Sequence, residues 1–145
     1  MEAQEFSVVI QRPLSEVFAY LDDVEVEMEW QPNLREVEQI PPGPSVVGSK
    51  KRYVSEFMGK RVENTYEVVE MGPGWRVVYE STPDSALDAT TEIRCEEVGT
   101  GTRVTMVVTG RPKGALRLLP KALLEKTSRD ELEASLKRLK ARLEG

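Results

Sequence analysis

Histidine is absent from this 145-residue chain, and cysteine occurs once, at Cys95. Without histidine there is no Ser-His-Asp or Cys-His nucleophile system and no imidazole-ligated metal. One cysteine makes no internal disulfide, which points to a reducing cytoplasm. Cys95 itself, beside Ile93 on the apolar side of a strand, reads as a small core residue. Long apolar runs are missing too. None approaches the ~20 residues of a membrane-spanning helix, and Met1-Glu2-Ala3-Gln4-Glu5 is acidic, with no apolar h-region of a signal peptide. Gly72-Pro73-Gly74 leads into a strand, so no glycine-rich loop opens a helix as a phosphate cradle. These absences predict no metal, no cofactor and no integral membrane association.

What is present is ordinary for one soluble domain spanning residues 1–145: 39% hydrophobic and 31% charged residues. The net charge of −5 argues against nucleic acid as a partner. Charge is unevenly placed, with eight acidic groups against Arg12 in residues 1–30 and ten basic against four acidic in residues 111–143. Opposite chain ends facing one another, or an anionic ligand or membrane at the C-terminal helix, would each account for it. Glu25, Glu27 and Glu29 lack the Asp/Asn/Gly pattern of a calcium loop and read as a solvated helix face.

Phe6, Val8 and Ile10 alternate as a half-buried strand, and Pro13 opens a helix carrying Leu14, Val17, Phe18 and Leu21. A second short helix runs from Val24 to Trp30 and is stopped by Pro32. Strands follow over 34–40, 48–58, 60–71, 75–81, 87–98 and 102–109, divided by Pro41-Pro42-Gly43-Pro44, Gly59, Gly72-Pro73-Gly74 and Gly99-Thr100-Gly101. Short sequential links predict antiparallel neighbours. A helix over 114–144 closes the chain, with a kink or break expected at Pro120. Its stripe Leu132, Leu136, Leu139, Leu143 has a counterpart in Leu116, Leu119, Leu123 and Leu124. Between them, residues 125–131 carry no large apolar side chain and are either exposed or beside a cavity that takes hydroxyls. A lone long helix after a β-meander has only the sheet to pack on, and a sheet curled around one helix leaves a hollow.

This order resembles the START-like, helix-grip superfamily, and within it the polyketide cyclase/dehydrase-like branch. The resemblance rests on Val9-Ile10-Gln11-Arg12-Pro13-Leu14-Ser15-Glu16-Val17-Phe18, on Trp30-Gln31-Pro32, on Gly99-Thr100-Gly101-Thr102-Arg103-Val104-Thr105, and on 132–140 as the closing helix. It implies an α+β helix-grip fold, a curved antiparallel sheet with two short helices after its first strand, wrapped around a long C-terminal helix. These motifs are structural, so the activity has to be argued from the site.

Period-two alternation predicts the inward side chains. They are Tyr53, Ser55 and Phe57; Val62, Asn64, Tyr66 and Val68; Trp75, Val77 and Tyr79; Leu87, Ala89, Thr91 and Ile93; and Val104, Met106 and Val108. A ligand-binding set follows: Trp30, Tyr53, Phe57, Asn64, Tyr66, Trp75, Tyr79, Ala89, Thr91, Met106, Leu123 and Thr127. Trp30 reads either as a core staple or as a lid. Asn64 is paired to a neighbouring strand or turned to a guest. Arg111, Lys113, Arg117 and Lys121 are solvated or attract an anionic head group. Three functions remain open. The first is binding of a small hydrophobic molecule such as a lipid, quinone or polyketide-like aromatic. The second is a cyclase or dehydratase using Asn64, Tyr66, Tyr79 and Thr91. The third is a protein-binding accessory domain. The sequence leaves the oligomeric state open, monomer or homodimer.

Overall fold

The computed structural model describes residues 3–145; Met1 and Glu2, from the acidic N-terminal segment, lie outside them. β1 (Gln4–Ile10) is followed by α1 (Leu14–Asp22) and a one-turn α2 (Glu27–Trp30). The meander β2 (Leu34–Ile40), β3 (Lys50–Phe57), β4 (Lys60–Gly72), β5 (Arg76–Ser81), β6 (Leu87–Val98) and β7 (Gly101–Pro112) comes next. The chain ends in a 3-10 turn (Gly114–Leu118) and the long α3 (Lys121–Glu144). Sheet order is β1-β7-β6-β5-β4-β3-β2 and every pairing is antiparallel. This is the α+β helix-grip fold.

Proline sets the helix starts. Pro13 precedes α1 and Pro120 precedes α3, both in extended backbone, so the expected discontinuity at Pro120 is a full break. The β3–β4 hairpin turns on two residues, Met58 and Gly59, both with positive φ (54° and 77°), the geometry that matches strand twist.

Period-two alternation holds along β4 through Val68, after which a bulge shifts the register by one before Glu70. Trp75 departs from the prediction. It lies in the turn before β5, about half exposed, and its indole lies across Gly72, where a Cβ would stand 2.5 Å from Nε1. The turn takes Trp75 out of the alternation, and β5 resumes it with Val77 and Tyr79 buried. Glu27 departs as well. It is buried at 2% exposure, because α2 lies against the sheet and α3 and leaves this carboxylate facing in.

The core has two parts. Ile10, Val17, Phe18, Leu21, Trp30, Val77, Ile93, Val104 and the α3 stripe Leu132, Leu136, Leu139, Leu143 form the larger. Leu136 and Leu139 are fully buried, each worth about 1.5–3 kcal/mol of apolar burial. Phe57, Val62, Leu116 and Leu124 form the smaller. The polar stretch of α3 spans the gap from Leu124 to Leu132. Lys140 Nζ donates to the Val9 carbonyl and Arg12 Nε to that of Leu143, fixing the end of α3 to β1 and its following turn.

Candidate functional site

A cavity of about 230 Å³, open to solvent, lies where the two core parts fail to meet. Trp30, Tyr79, Ile93, Met106 and Leu132 line it from one part, Phe57 and Val62 from the other. It exists because side chains there are small or polar. Ala89 on β6 faces Gly110 on β7 across the strands, and α3 offers Ser128, Glu131 and Ser135 where leucines would have filled the space. At about 230 Å³ it falls below the usual ~300–1,000 Å³ of ligand pockets yet exceeds the ~150 Å³ that holds benzene in an engineered core.

Of the sequence-derived set, Trp30, Tyr53, Phe57, Asn64, Tyr66, Tyr79, Ala89, Thr91 and Met106 line the cavity. Trp75, Leu123 and Thr127 do not. Leu123 is 41% exposed, since α3 is phased to bury Leu124. Continuing the Leu132 stripe back by four and eight residues reaches Ser128 and Leu124, one residue beyond Thr127 and Leu123. Trp30 is 1% exposed, so it is a wall of the cavity rather than a lid, and its indole N–H has no acceptor among the described residues.

Asn64 is fully engaged. Its Oδ1 accepts from the Ala86 and Leu87 amides, and its Nδ2 donates to the Tyr66 hydroxyl (3.1 Å) and the Leu87 carbonyl. It clamps β4 to the start of β6 and orients Tyr66, with no hydrogen bond left for acid–base work. Tyr66 and Tyr79 both have pKa values raised, chiefly by burial, which keeps them neutral donors. Tyr53 meets Tyr66 edge to face, with centroids 5.6 Å apart.

The charged end of the cavity escaped sequence reading. Lys51, 1% exposed, puts its Nζ 3.4 Å from Glu27 Oε1 and 3.7 Å from Asp22 Oδ1, and donates to the Asp22 carbonyl. Glu27 also accepts from Gln31 Nε2, and Asp22 from the Ser45 amide and hydroxyl. The Lys51 ammonium lies 5.4 Å from the Tyr79 ring centre. Burial pulls Lys51 down, but Glu27, Tyr79 and Asp22 outweigh it and hold the ammonium above its ordinary value. Burial pushes Glu27 up, and Lys51 offsets only part of that. Lys51 is therefore a held cation, unfit as an amine nucleophile. Alternation with Tyr53 was the available signal for its inward direction; its place in the charged run Lys50-Lys51-Arg52 masked it.

Glu131 lies on α3, half-buried, with no hydrogen bond or ion pair among the described residues, and burial alone pushes its carboxyl to about 7. The same cavity is lined by Glu27, Lys51, Tyr53, Tyr66 and Tyr79. The folded chain holds the Glu131 proton more tightly than the unfolded chain does. Its stabilising contribution is full below pH 4.5 and is lost as pH rises through about 7. Glu131→Gln should thus melt above the native protein at about pH 8, with the gap closing toward pH 4.5 in thermal scans. A gap of constant size would show that the carboxyl titrates normally.

Sheet and helix together form the START-like, helix-grip fold. The chain belongs to the family described as polyketide cyclase / dehydrase and lipid transport, whose model matches residues 1–144. Among solved structures, a protein from Thermus thermophilus is 21% identical, with 98% of this chain and 97% of that one covered and a TM-score of 0.81. A START superfamily protein from Mycobacterium smegmatis gives 15% identity, coverage of 98% and 97%, and a TM-score of 0.81. The Zhui aromatase/cyclase from Streptomyces sp. R1128 gives 18%, coverage of 99% and 93%, and 0.78. At these identities the likeness establishes the fold alone. No curated protein matches the sequence at a significant level. Among the described residues, no helix is long and apolar enough to cross a membrane.

Proposed function

We propose that this protein binds a compact, ring-bearing, mainly apolar molecule in the cavity between its sheet and α3, in the cytoplasm. The supporting observation is the cavity itself, whose wall combines Trp30, Tyr53, Phe57, Tyr66 and Tyr79 with a few placed polar groups. A cyclase or dehydratase reading has one observation in its favour. Glu131, at about 7, has the proton affinity a general acid–base needs at neutral pH, whereas the tyrosines are raised away from it. An accessory protein-binding role gains nothing from the outer sheet face. Arg52 pairs there with Glu36, Glu38 and Glu63, and Arg76 with Glu70 and Glu92, leaving a lattice of ion pairs in place of an apolar patch.

Native mass spectrometry of protein isolated from its own host, followed by extraction, tests this reading. A bound small molecule that leaves on denaturation is the expected result. Naphthalene supplies a direct probe in a Trp75→Phe background, where Trp30 is the remaining tryptophan and lines the cavity. A clean apo mass together with unchanged Trp30 fluorescence on naphthalene addition would overturn the proposal.

A further inference from the structure

We propose that the guest carries a basic nitrogen, and that the cavity takes a small ring-bearing amine whose ammonium pairs with Glu131. The inference rests on the cavity-binding reading and deepens it. Glu131 is the charged lining group left without a partner among the described residues. Lys51 and Glu27, the others on the wall, satisfy each other at 3.4 Å.

The charge balance has a sign. Asp22 and Glu27 already place two carboxylates around one ammonium, and Glu131 adds a third acidic group on the facing helix. A carboxylate guest would meet a lysine flanked on both sides and a glutamate opposite. A cationic guest would gain the Glu131 carboxylate and the aromatic wall of Trp30, Tyr53 and Tyr66, whose rings attract cations. It would also supply a counter-charge to a carboxyl that burial pushes to about 7. The surface basic residues do not reverse this preference. Arg111 and Lys113 share Asp88, at 3.1 and 3.2 Å, which leaves one net positive charge there, and neither side chain lines the cavity.

Three probes sharing one ring system separate this inference from the reading beneath it: naphthalene, naphthylmethylamine and naphthoic acid, titrated at about pH 8 against Trp30 fluorescence in the Trp75→Phe background. The amine should bind at least ~10-fold more tightly than the acid. In Glu131→Gln, shown to be folded by its melting curve, that ratio should fall to within about twofold. If naphthalene binds but the acid equals or exceeds the amine, the inference fails and the cavity reading stands. The same conclusion follows if the amine preference survives in Glu131→Gln. If none of the three binds and the mass spectrum is that of the clean apo protein, both fail together.

Discussion

Lys51→Met should lower stability by about 3–5 kcal/mol, a fall of roughly 10–15 °C in melting temperature for a chain of this size. The size of the effect comes from what is left behind. Met can follow the path of the lysine stem, so little packing is lost, but Asp22 and Glu27 remain buried without a cation. Asp22 keeps its two bonds from Ser45, whereas Glu27 keeps only Gln31 and its neighbouring Tyr53 phenol. Glu27, already raised by burial, would rise further. A carboxyl raised in the folded state contributes stability below its ordinary pKa and loses it as pH rises, so the deficit should be larger at neutral pH than near pH 4.5. Adding Glu27→Gln to Lys51→Met removes the less supported of the two stranded charges and should recover at least half of the loss. A double variant no more stable than Lys51→Met alone would show that lost packing, rather than stranded charge, sets the effect. Lys51 matters to architecture as well as charge, since it joins the end of α1, α2 and β3 at one nitrogen.

The fold was legible because its signals are local. Pro13 marks a helix start and Pro120 a break, glycine-bearing turns separate strands, and a single terminal leucine stripe has one sheet to cover. The sheet-borne half of the site was legible for a related reason. Strand alternation needs only the correct register, and Tyr53, Asn64, Tyr66, Tyr79, Ala89 and Thr91 all fall on the lining side. Trp75 failed because a turn residue lies outside any alternation. Leu123 and Thr127 failed by one position of helix phase, which the Leu132–Leu143 stripe could have corrected. Glu27 and Lys51 were hidden for a deeper physical reason. Charged residues are buried only when paired, and their partners lie 24 residues apart in sequence, brought together by tertiary packing alone. Glu131 was masked differently, inside a polar stretch whose exposure a sequence does not determine.

Ala89→Phe should abolish guest binding, weakening naphthalene by at least ~100-fold, about 2.7 kcal/mol, while leaving the fold intact. Ala89 is buried on β6, opposite Gly110, and its Cβ meets the cavity at the place where small side chains keep it open. Enlarging a residue in a filled core forces strain of about 1–3 kcal/mol, but here the ring enters existing space of about 230 Å³. Burying it against Tyr66, Tyr79 and Met106 adds apolar contact, so the melting temperature should hold or rise. The opposite signs of the two readouts make the test specific: a misfolded variant loses both, and a filled cavity loses only binding. Ala89→Ser, nearly the same size, should bind naphthalene within a few-fold of the native protein. If Ala89→Phe binds naphthalene as the native protein does, the guest sits elsewhere, and the gap between the two cores is a packing defect with no ligand of its own. If binding disappears while stability holds, the small pair Ala89 and Gly110, together with the serines and Glu131 of α3, is what this chain has in place of a continuous core. The hollow then follows directly from which side chains the sequence withholds.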